Sequence, residues 1–273
     1  MPELPEVETV RRGLEPVLVG QRLSKVLVRR GDLRFPVPKD LANILTGRRV
    51  EALRRRAKYL LWDFDQGPGL LSHLGMSGRM TLVEDPKTPL ETHDHLIFET
   101  ESGQQVRYND PRRFGFMDLI EDEAKHPRLI NLGPEPLGNS FSGPYLYEAL
   151  KGRKTAVKTA IMAQGTVVGV GNIYASEALF EARIRPTRLA NKVSKIEAER
   201  LATSIKAVLA RAIEAGGSSL NDFVQVSGEL GYFQHDWRVY GRGGEPCRVC
   251  ETPIQQLVLG QRSTFYCPNC QPK

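Results

Sequence analysis

From Leu4 the apolar residues Val7, Val10, Leu14 and Val17 recur at helical spacing, with Glu6 and Glu8 in the first turn and Gly20 past the end, which predicts a leading amphipathic helix. Pro5 suits the first turn, where backbone amides have no intrahelical partner. Over residues 22–120 the period changes. Short apolar runs (Val26-Leu27-Val28, Tyr59 to Trp62, Leu70-Leu71, Met80 to Val83, Leu96 to Phe98, Gln105 to Tyr108, Phe116 to Ile120) alternate with turn residues. This pattern predicts a β-rich domain, a two-layered sandwich with the first helix against it. The composition shifts at Leu132-Gly133-Pro134-Glu135-Pro136-Leu137-Gly138, and four helical stretches follow: Tyr145 to Leu150, Ala156 to Ala163, Ile173 to Ala182 and Ile196 to Ala215. The last is amphipathic through Leu201, Ile205, Val208, Leu209 and Ala212. Near the end, Ile254 to Leu259 and Ser263 to Tyr266 read as two strands around Gly260-Gln261. The chain is therefore expected to be a multidomain α+β protein, with no internal repeat and no low-complexity segment.

That terminal hairpin carries chemistry. All four cysteines lie in the last 27 residues, as Cys247-x2-Cys250, sixteen intervening residues, then Cys267-x2-Cys270. Each close pair can set two thiolates on one tight turn, and the gap accommodates the hairpin, so four sulfurs can converge tetrahedrally on one zinc ion. Disulfides are the alternative, disfavoured in a cytosolic setting. Four protein ligands leave no open position for an activated water, so the zinc is expected to be structural and to contribute folding free energy.

Composition sets the context. With 273 residues, 40% hydrophobic and 26% charged, the chain can bury a substantial core, and no stretch approaches the ~20 apolar residues of a membrane helix. The N-terminus lacks a basic segment followed by an apolar one, so a cytoplasmic protein with no membrane partner is expected. A formal charge of +6 favours a polyanionic partner. Six basic side chains (Arg48, Arg49, Arg54, Arg55, Arg56, Lys58) accompany one acid between Arg48 and Lys58, and Lys151, Arg153, Lys154 and Lys158 form a second cluster. Either could be a solvated face; beside a zinc module they suggest phosphate binding.

Two local motifs bear on mechanism. Gly169-Val170-Gly171-Asn172 precedes a helix but lacks the third glycine of a dinucleotide fingerprint and any P-loop lysine, so no nucleotide cofactor is expected. It reads either as an ordinary helix cap or as a glycine turn whose amides, with Asn172 as cap, grip one backbone phosphate. At the other end, removal of Met1 would leave Pro2 as a free secondary amine followed by Glu3. An α-amino group of pKa roughly 7.7–8.0 is partly neutral, hence nucleophilic, at physiological pH, and a cation such as Lys58 would enlarge that fraction. Glu3 could move protons to and from a reacting sugar. A plain helix leader containing a proline and an acid is the simpler reading of this segment alone.

Taken together, Pro2 to Glu8, Arg56-Ala57-Lys58-Tyr59, His73 to Gly78, Asn109 to Gly115, Gly169 to Glu177 and Gly241 to Cys250 resemble the formamidopyrimidine-DNA glycosylase family over essentially the whole chain. The resemblance implies an N-terminal β-sandwich catalytic domain (1–132), a helix-two-turn-helix domain (133–236) and a zinc finger (237–273), with the active site between them. It implies a monomeric enzyme that acts on damaged double-stranded DNA, excises oxidised purines and cleaves the strand. By position, Pro2 is the nucleophile and Glu3 the general acid/base. Lys58 is assigned to β-elimination, and Arg262 to the lesion phosphate and δ-elimination. His93, Arg112, Lys154 and Asn172 match phosphate-holding positions. Met76, Arg112 and Phe114 match the residues filling the gap left by the everted nucleotide, whose extrusion costs a few kcal/mol of stacking.

The chain departs from the family pattern in two places. Ile161-Met162-Ala163-Gln164 stands where members commonly have Leu-Leu-Asp-Gln, and Val226 to Tyr232 lacks the more usual Asp and Lys-Pro. Two other readings remain open on the residues: an endonuclease VIII-type enzyme for oxidised pyrimidines, against which Arg112 to Gly115 and Leu4 speak, and a non-catalytic zinc-dependent DNA-binding protein, which leaves the N-terminus unexplained.

Overall fold

A computed structural model describes residues 1–218, 226 and 231–273, so Ser227 to Leu230 of the departing segment lie outside the described residues. The elements run α1 (Leu4–Leu18), β1 (Leu23–Val28), α2 (Leu41–Leu45), β2 (Val50–Arg56), β3 (Tyr59–Phe64), β4 (Gly69–His73), β5 (Arg79–Val83), β6 (Asp94–Thr100), β7 (Gln105–Asn109) and β8 (Phe116–Ile120). Then follow α3 (Gly143–Lys151), α4 (Val157–Met162), α5 (Asn172–Glu181), α6 (Lys195–Glu214), β9 (Gln255–Leu259) and β10 (Arg262–Tyr266). The Cα framework groups into two compact units, 1–130 with 215–232 and 131–214 with 233–273. Where the sequence suggests three segments, 1–132, 133–236 and 237–273, the stretch after α6 thus groups with the strands, and the zinc hairpin with the helices.

The first unit holds two four-stranded antiparallel sheets, ordered β1-β6-β7-β5 and β2-β3-β4-β8. Between them lie Leu60, Trp62, Leu70, Leu96, Phe98, Val106 and Tyr108, all at most 1% exposed. The α1 residues Val7, Val10, Leu14 and Leu18 join this core. At roughly 25 cal/mol per Å², each such side chain contributes about 1.5–3 kcal/mol.

Two elements escape the hydrophobic pattern. Helix α2 spans five residues, too short for a period to show. Strand β2 coincides with the first basic cluster and belongs to the sheet because Arg56 and Tyr59 pair across a two-residue turn, Ala57-Lys58. Several arginines of this cluster are also turned to the protein's own acceptors. Arg54 bridges Asp63 and Glu123, Arg55 pairs with Glu8 at 3.1 Å, Arg48 donates to the Ile44 and Gln66 carbonyls, and Arg49 to Gly20 O at 3.2 Å. These four side chains are thus engaged within the protein, although those of Arg49 and Arg54 stay open to solvent.

In the second unit α6 packs against α3 and α5, and α5 against β10. Ser142 caps α3, its hydroxyl accepting from the Tyr145 amide at 3.3 Å, a first-turn donor that would otherwise be orphaned. The β9–β10 hairpin turns through Gly260 (φ 55°) and Gln261 (φ 61°), the paired left-handed conformations of a type I′ turn. A small core of Phe180, Val239, Ile254 and Phe265 joins α5 to the cysteines.

Candidate active site and nucleic-acid interface

At the head of α1, Pro2 and Glu3 are buried, and the Glu3 amide donates to Glu6 Oε2 at 2.8 Å. The other Glu6 oxygen accepts from the Ser218 amide at 2.8 Å, so one carboxyl group holds the start of the chain against the segment that follows α6. From sequence Glu6 reads only as a first-turn acid, although the spacing Glu3-x-x-Glu6 is that of a capping box.

Lys58 is 7% exposed in the β2–β3 turn, next to Ala57, which takes φ 56° although it has a side chain. Such a conformation persists where surrounding structure fixes it, and it commonly marks a functional site. His73 ends β4, its ring stacked on Phe116 with 5.3 Å between centroids and its Nδ1 accepting from the Gly75 amide at 3.0 Å. Burial, then the charges of Lys58, Arg34 and Arg128, pull the His73 pKa down to about 4, so the imidazole is neutral at working pH.

Four predicted contact residues gather around one buried carboxyl group. Asp110 is fully buried and accepts from Ser77 Oγ (2.6 Å), Tyr108 Oη (2.9 Å) and the Gly115 amide (2.8 Å). Ser77 Oγ in turn accepts from the Arg112 amide at 3.2 Å. The Asp110 amide donates to His93 O at 3.1 Å. A Cβ at Gly75 (φ 68°) would overlap the backbone of Phe114 and Gly115, so the turn of Met76 and the turn of Arg112 to Phe114 interlock backbone to backbone. Met76 is half-buried beside this contact. Phe114 is 40% exposed, with the Arg112 guanidinium 4.8 Å from its ring centre. Arg112 therefore does not need Asp110 as an ion-pair partner; the acid organises backbone and hydroxyl groups beneath it. His93 is exposed and lines an open cleft with Arg29, Arg30 and Arg113.

In the second unit the glycine turn differs from expectation in one detail. Gly171 is the N-cap of α5 and Asn172 its first helical residue, so Asn172 is not the cap. Its side chain is used elsewhere, Oδ1 accepting from Lys158 Nζ at 2.7 Å and Nδ2 donating to Ser263 O at 3.0 Å. Lys158, assigned from sequence to a phosphate-facing cluster, is 1% exposed. Within that cluster Arg153 is also engaged, donating to Ala149 O at 2.9 Å, whereas Lys154 is exposed. At the departure in α4, Ala163 closes the helix, and the adjacent Gln164 holds the turn, its Oε1 accepting from the Gly169 amide at 2.9 Å. Arg262 is exposed at the start of β10. Glu177, also overlooked, is buried and accepts from the amides of Arg238, Val239 and Tyr240 at 2.8–3.0 Å, fixing the approach to the zinc module.

The four cysteine sulfurs lie within 4.8 Å of one another, with separations of 3.4 Å (Cys250 to Cys267), 3.5 Å (Cys250 to Cys270) and 3.9 Å (Cys247 to Cys270). Tetrahedral coordination at about 2.3 Å requires sulfur–sulfur edges of about 3.8 Å, so the set fits zinc. Amides of Val249 and Cys270 donate to the Cys247 and Cys267 sulfurs, as suits thiolates. The module binds one structural zinc ion through Cys247, Cys250, Cys267 and Cys270.

A sandwich presenting apolar and cationic side chains from interlocked turns, and a helical unit ending in a zinc hairpin with an exposed arginine beside its turn, define a zinc-finger protein built to engage nucleic acid. Family models match in order along the chain: the formamidopyrimidine-DNA glycosylase N-terminal domain over 1–117, its H2TH domain over 132–224, and the zinc finger found in FPG and IleRS over 244–273. The formamidopyrimidine-DNA glycosylase of Ruegeria pomeroyi is 52% identical, covering 99% of this chain and all of its own, and that of Pseudomonas syringae pv. tomato is 54% identical with the same coverage. Among solved structures, Lactococcus lactis Fpg in complex with abasic-site DNA superposes with a TM-score of 0.92 at 35% identity, covering 99% of this chain and 100% of that one. MutM (Fpg) of Thermus thermophilus gives 0.86 at 38% identity, covering 100% and 99%. The chain belongs to the formamidopyrimidine-DNA glycosylase family.

Proposed function

We propose that this protein excises oxidised purines, 8-oxoguanine and formamidopyrimidines, from double-stranded DNA through a Schiff base at Pro2 and then cleaves the strand by β,δ-elimination. It is a DNA glycosylase of base excision repair with the AP lyase activity of its family, and damaged DNA is its partner. A Lactococcus lactis Fpg mutant has been solved with Fapy-dG-containing DNA. The observation that carries the reading is the head of α1: Pro2 and Glu3 in the family's positions, their backbone fixed by Glu6.

Removal of Met1 frees the Pro2 amine. The amine attacks C1′ as the C1′–N bond to the base breaks, and the base leaves with a proton. Glu3 hands a proton to the ring oxygen as the sugar opens, giving an iminium, the Schiff base of a secondary amine. Loss of a C2′ proton expels the 3′ phosphate, with Lys58 assisting; a second elimination expels the 5′ phosphate, with Arg262 holding its charge. Met76, Arg112 and Phe114 occupy the space the everted nucleotide leaves; His93, Arg112 and Lys154 hold backbone phosphates with their side chains, and Asn172 does so through the backbone amides of its glycine turn. Among the described residues no helix is long and apolar enough to cross a membrane. A DNA substrate and bacterial relatives support a cytoplasmic site of action.

Borohydride trapping tests this reading. Protein whose mass shows loss of Met1 forms a covalent adduct on an 8-oxoguanine:cytosine duplex, and Pro2→Gly does not. Absence of an adduct from the processed protein sinks the proposal, and faster cleavage of thymine glycol than of 8-oxoguanine overturns the choice of purines.

A further inference from the structure

The second unit buries an ammonium group that the proposed chemistry does not use. Lys158 Nζ, on α4, donates to Asn172 Oδ1 at the start of α5 (2.7 Å), to Thr264 Oγ1 on β10 (2.8 Å) and to Ser263 O on β10 (3.3 Å). Each of these three acceptors is a neutral oxygen that can take a hydrogen from the ammonium. Thr264 Oγ1, having accepted from the lysine, donates its own hydrogen to Arg262 O at 3.2 Å. Ser263 O also accepts from Asn172 Nδ2. The Ser263 carbonyl is thus tied directly to the buried cation and to the first residue of α5, and the Arg262 carbonyl to the cation through the Thr264 hydroxyl. Removing an ammonium from water is expensive, and an apolar side chain of similar length could fill the same volume. What the charge adds is direction: it orients an amide, a hydroxyl and a strand backbone at once, directly beneath an exposed arginine.

We infer that Lys158 and Thr264 are positioning residues for Arg262, setting the register of the zinc hairpin against α5 so that the guanidinium meets the phosphate it is to hold. The inference rests on the reading of Arg262 as the phosphate-holding group of the second elimination. Thr264 is the relay and Asn172 the second anchor. The zinc ion secures the far end of β10, where Cys267 follows Tyr266, but leaves the end bearing Arg262 to this cluster.

The test compares Lys158→Met, Thr264→Val, Thr264→Ser and Arg262→Gln, each in the full zinc-loaded protein, on a duplex with one abasic site. The readout is the ratio of β,δ-product to β-product in single turnover, alongside borohydride trapping and zinc content. Misplacing a catalytic group by about 1 Å can cost on the order of a hundred-fold, so loss of the ammonium is expected to lower the ratio by about ten-fold. Thr264→Val, which loses the hydroxyl and with it the bonds to Lys158 and to Arg262 O, is expected to lower it by about three-fold, a modest net effect of the kind that lost hydrogen bonds give. Thr264→Ser keeps the hydroxyl and restores the ratio, while trapping falls less than the ratio in Lys158→Met and Thr264→Val. If Lys158→Met does not fold, the Thr264 pair decides. A folded, zinc-loaded Thr264→Val with the wild-type ratio, where Arg262→Gln lowers it, overturns the inference. So does a parallel fall of trapping and both eliminations, which marks a merely structural role. An unchanged ratio in Arg262→Gln sinks the reading of Arg262, and the inference with it.

Discussion

In the sandwich unit, Arg112 and Phe114 are exposed on a turn that converges with that of Met76 on the buried carboxyl group of Asp110. In the helical unit, exposed Arg262 sits on a strand tied to the buried ammonium of Lys158. The two hubs have opposite sign and collect opposite partners. The carboxyl group takes donors, two hydroxyls and an amide; the ammonium takes acceptors, an amide oxygen, a hydroxyl and a carbonyl. An exposed side chain makes few contacts of its own, so its backbone must be held from below. A further difference is the surrounding support. Tyr108, which donates to Asp110, and Met80, its partner across β5 and β7, belong to the large hydrophobic core, whereas among the described residues the hairpin has a small cluster around the cysteines and depends on the metal.

The largest expected effect removes that dependence. Cys267→Ser deletes one thiolate of the zinc site, where binding free energy of order 10 kcal/mol is also folding free energy. Zinc content is expected to fall well below one per chain and cleavage of lesion DNA to be lost, while the protection of β6 and β7 amides from hydrogen exchange is retained. A zinc-loaded, fully active variant would show that the hairpin holds itself, erasing the contrast with the sandwich.

Next in size is a direct comparison of the hubs. Asp110→Ala leaves the Ser77 and Tyr108 hydroxyls and the Gly115 amide without their acceptor in a buried site, at about 1–3 kcal/mol per group and not additive, so about 3–5 kcal/mol is expected in urea unfolding. Lys158→Met leaves oxygens short of a donor, a milder fault for carbonyls, and replaces a buried charge with apolar volume; about 1–2 kcal/mol is expected. The order matters more than the values. If Lys158→Met proves the more destabilising, the cation is the unit's structural keystone.

What the sequence could show follows from the range over which each feature is encoded. Helix α1, seven of the eight sandwich strands and the cysteine hairpin are written in local period and spacing, and local pattern suffices for them. Strand β2 was hidden because its arginines read as a charge run, while their pairing with Asp63, Glu123 and Glu8 is a fact of tertiary structure. The hubs were illegible for the same reason. Lys158 and Thr264 are 106 residues apart, Ser77 and Asp110 are 33 apart, and no periodicity links them. Family motifs point to the exposed residues proposed to meet the substrate, such as Arg262 and Phe114. They say little about which buried charge holds each one in place.

The smallest expected effect is on pH, where the units diverge in sign. His73 has a folded pKa lowered to about 4 by burial and by Lys58, Arg34 and Arg128, with Asp110 acting the other way, against roughly 6.5 when unfolded. Its contribution is therefore fully present above about pH 6.5 and is lost as pH falls from there through 4, because only the unfolded chain gains the proton. Glu8, in the same unit, changes in the same sense: burial alone would raise its pKa, but Arg11, Arg12 and Arg55 hold it below the usual carboxylate value. Glu177, in the helical unit, is raised by burial against the pull of three amides, so acidification through its folded pKa favours the folded state. Between pH 6.5 and 5, hydrogen exchange is expected to show β3 and β4 amides losing protection relative to those of α5, and His73→Phe to flatten the loss. Equal slopes in the two units, or a loss unchanged by the substitution, would show that neither His73 nor Glu177 distinguishes them, and that their difference lies in the hubs and the metal alone.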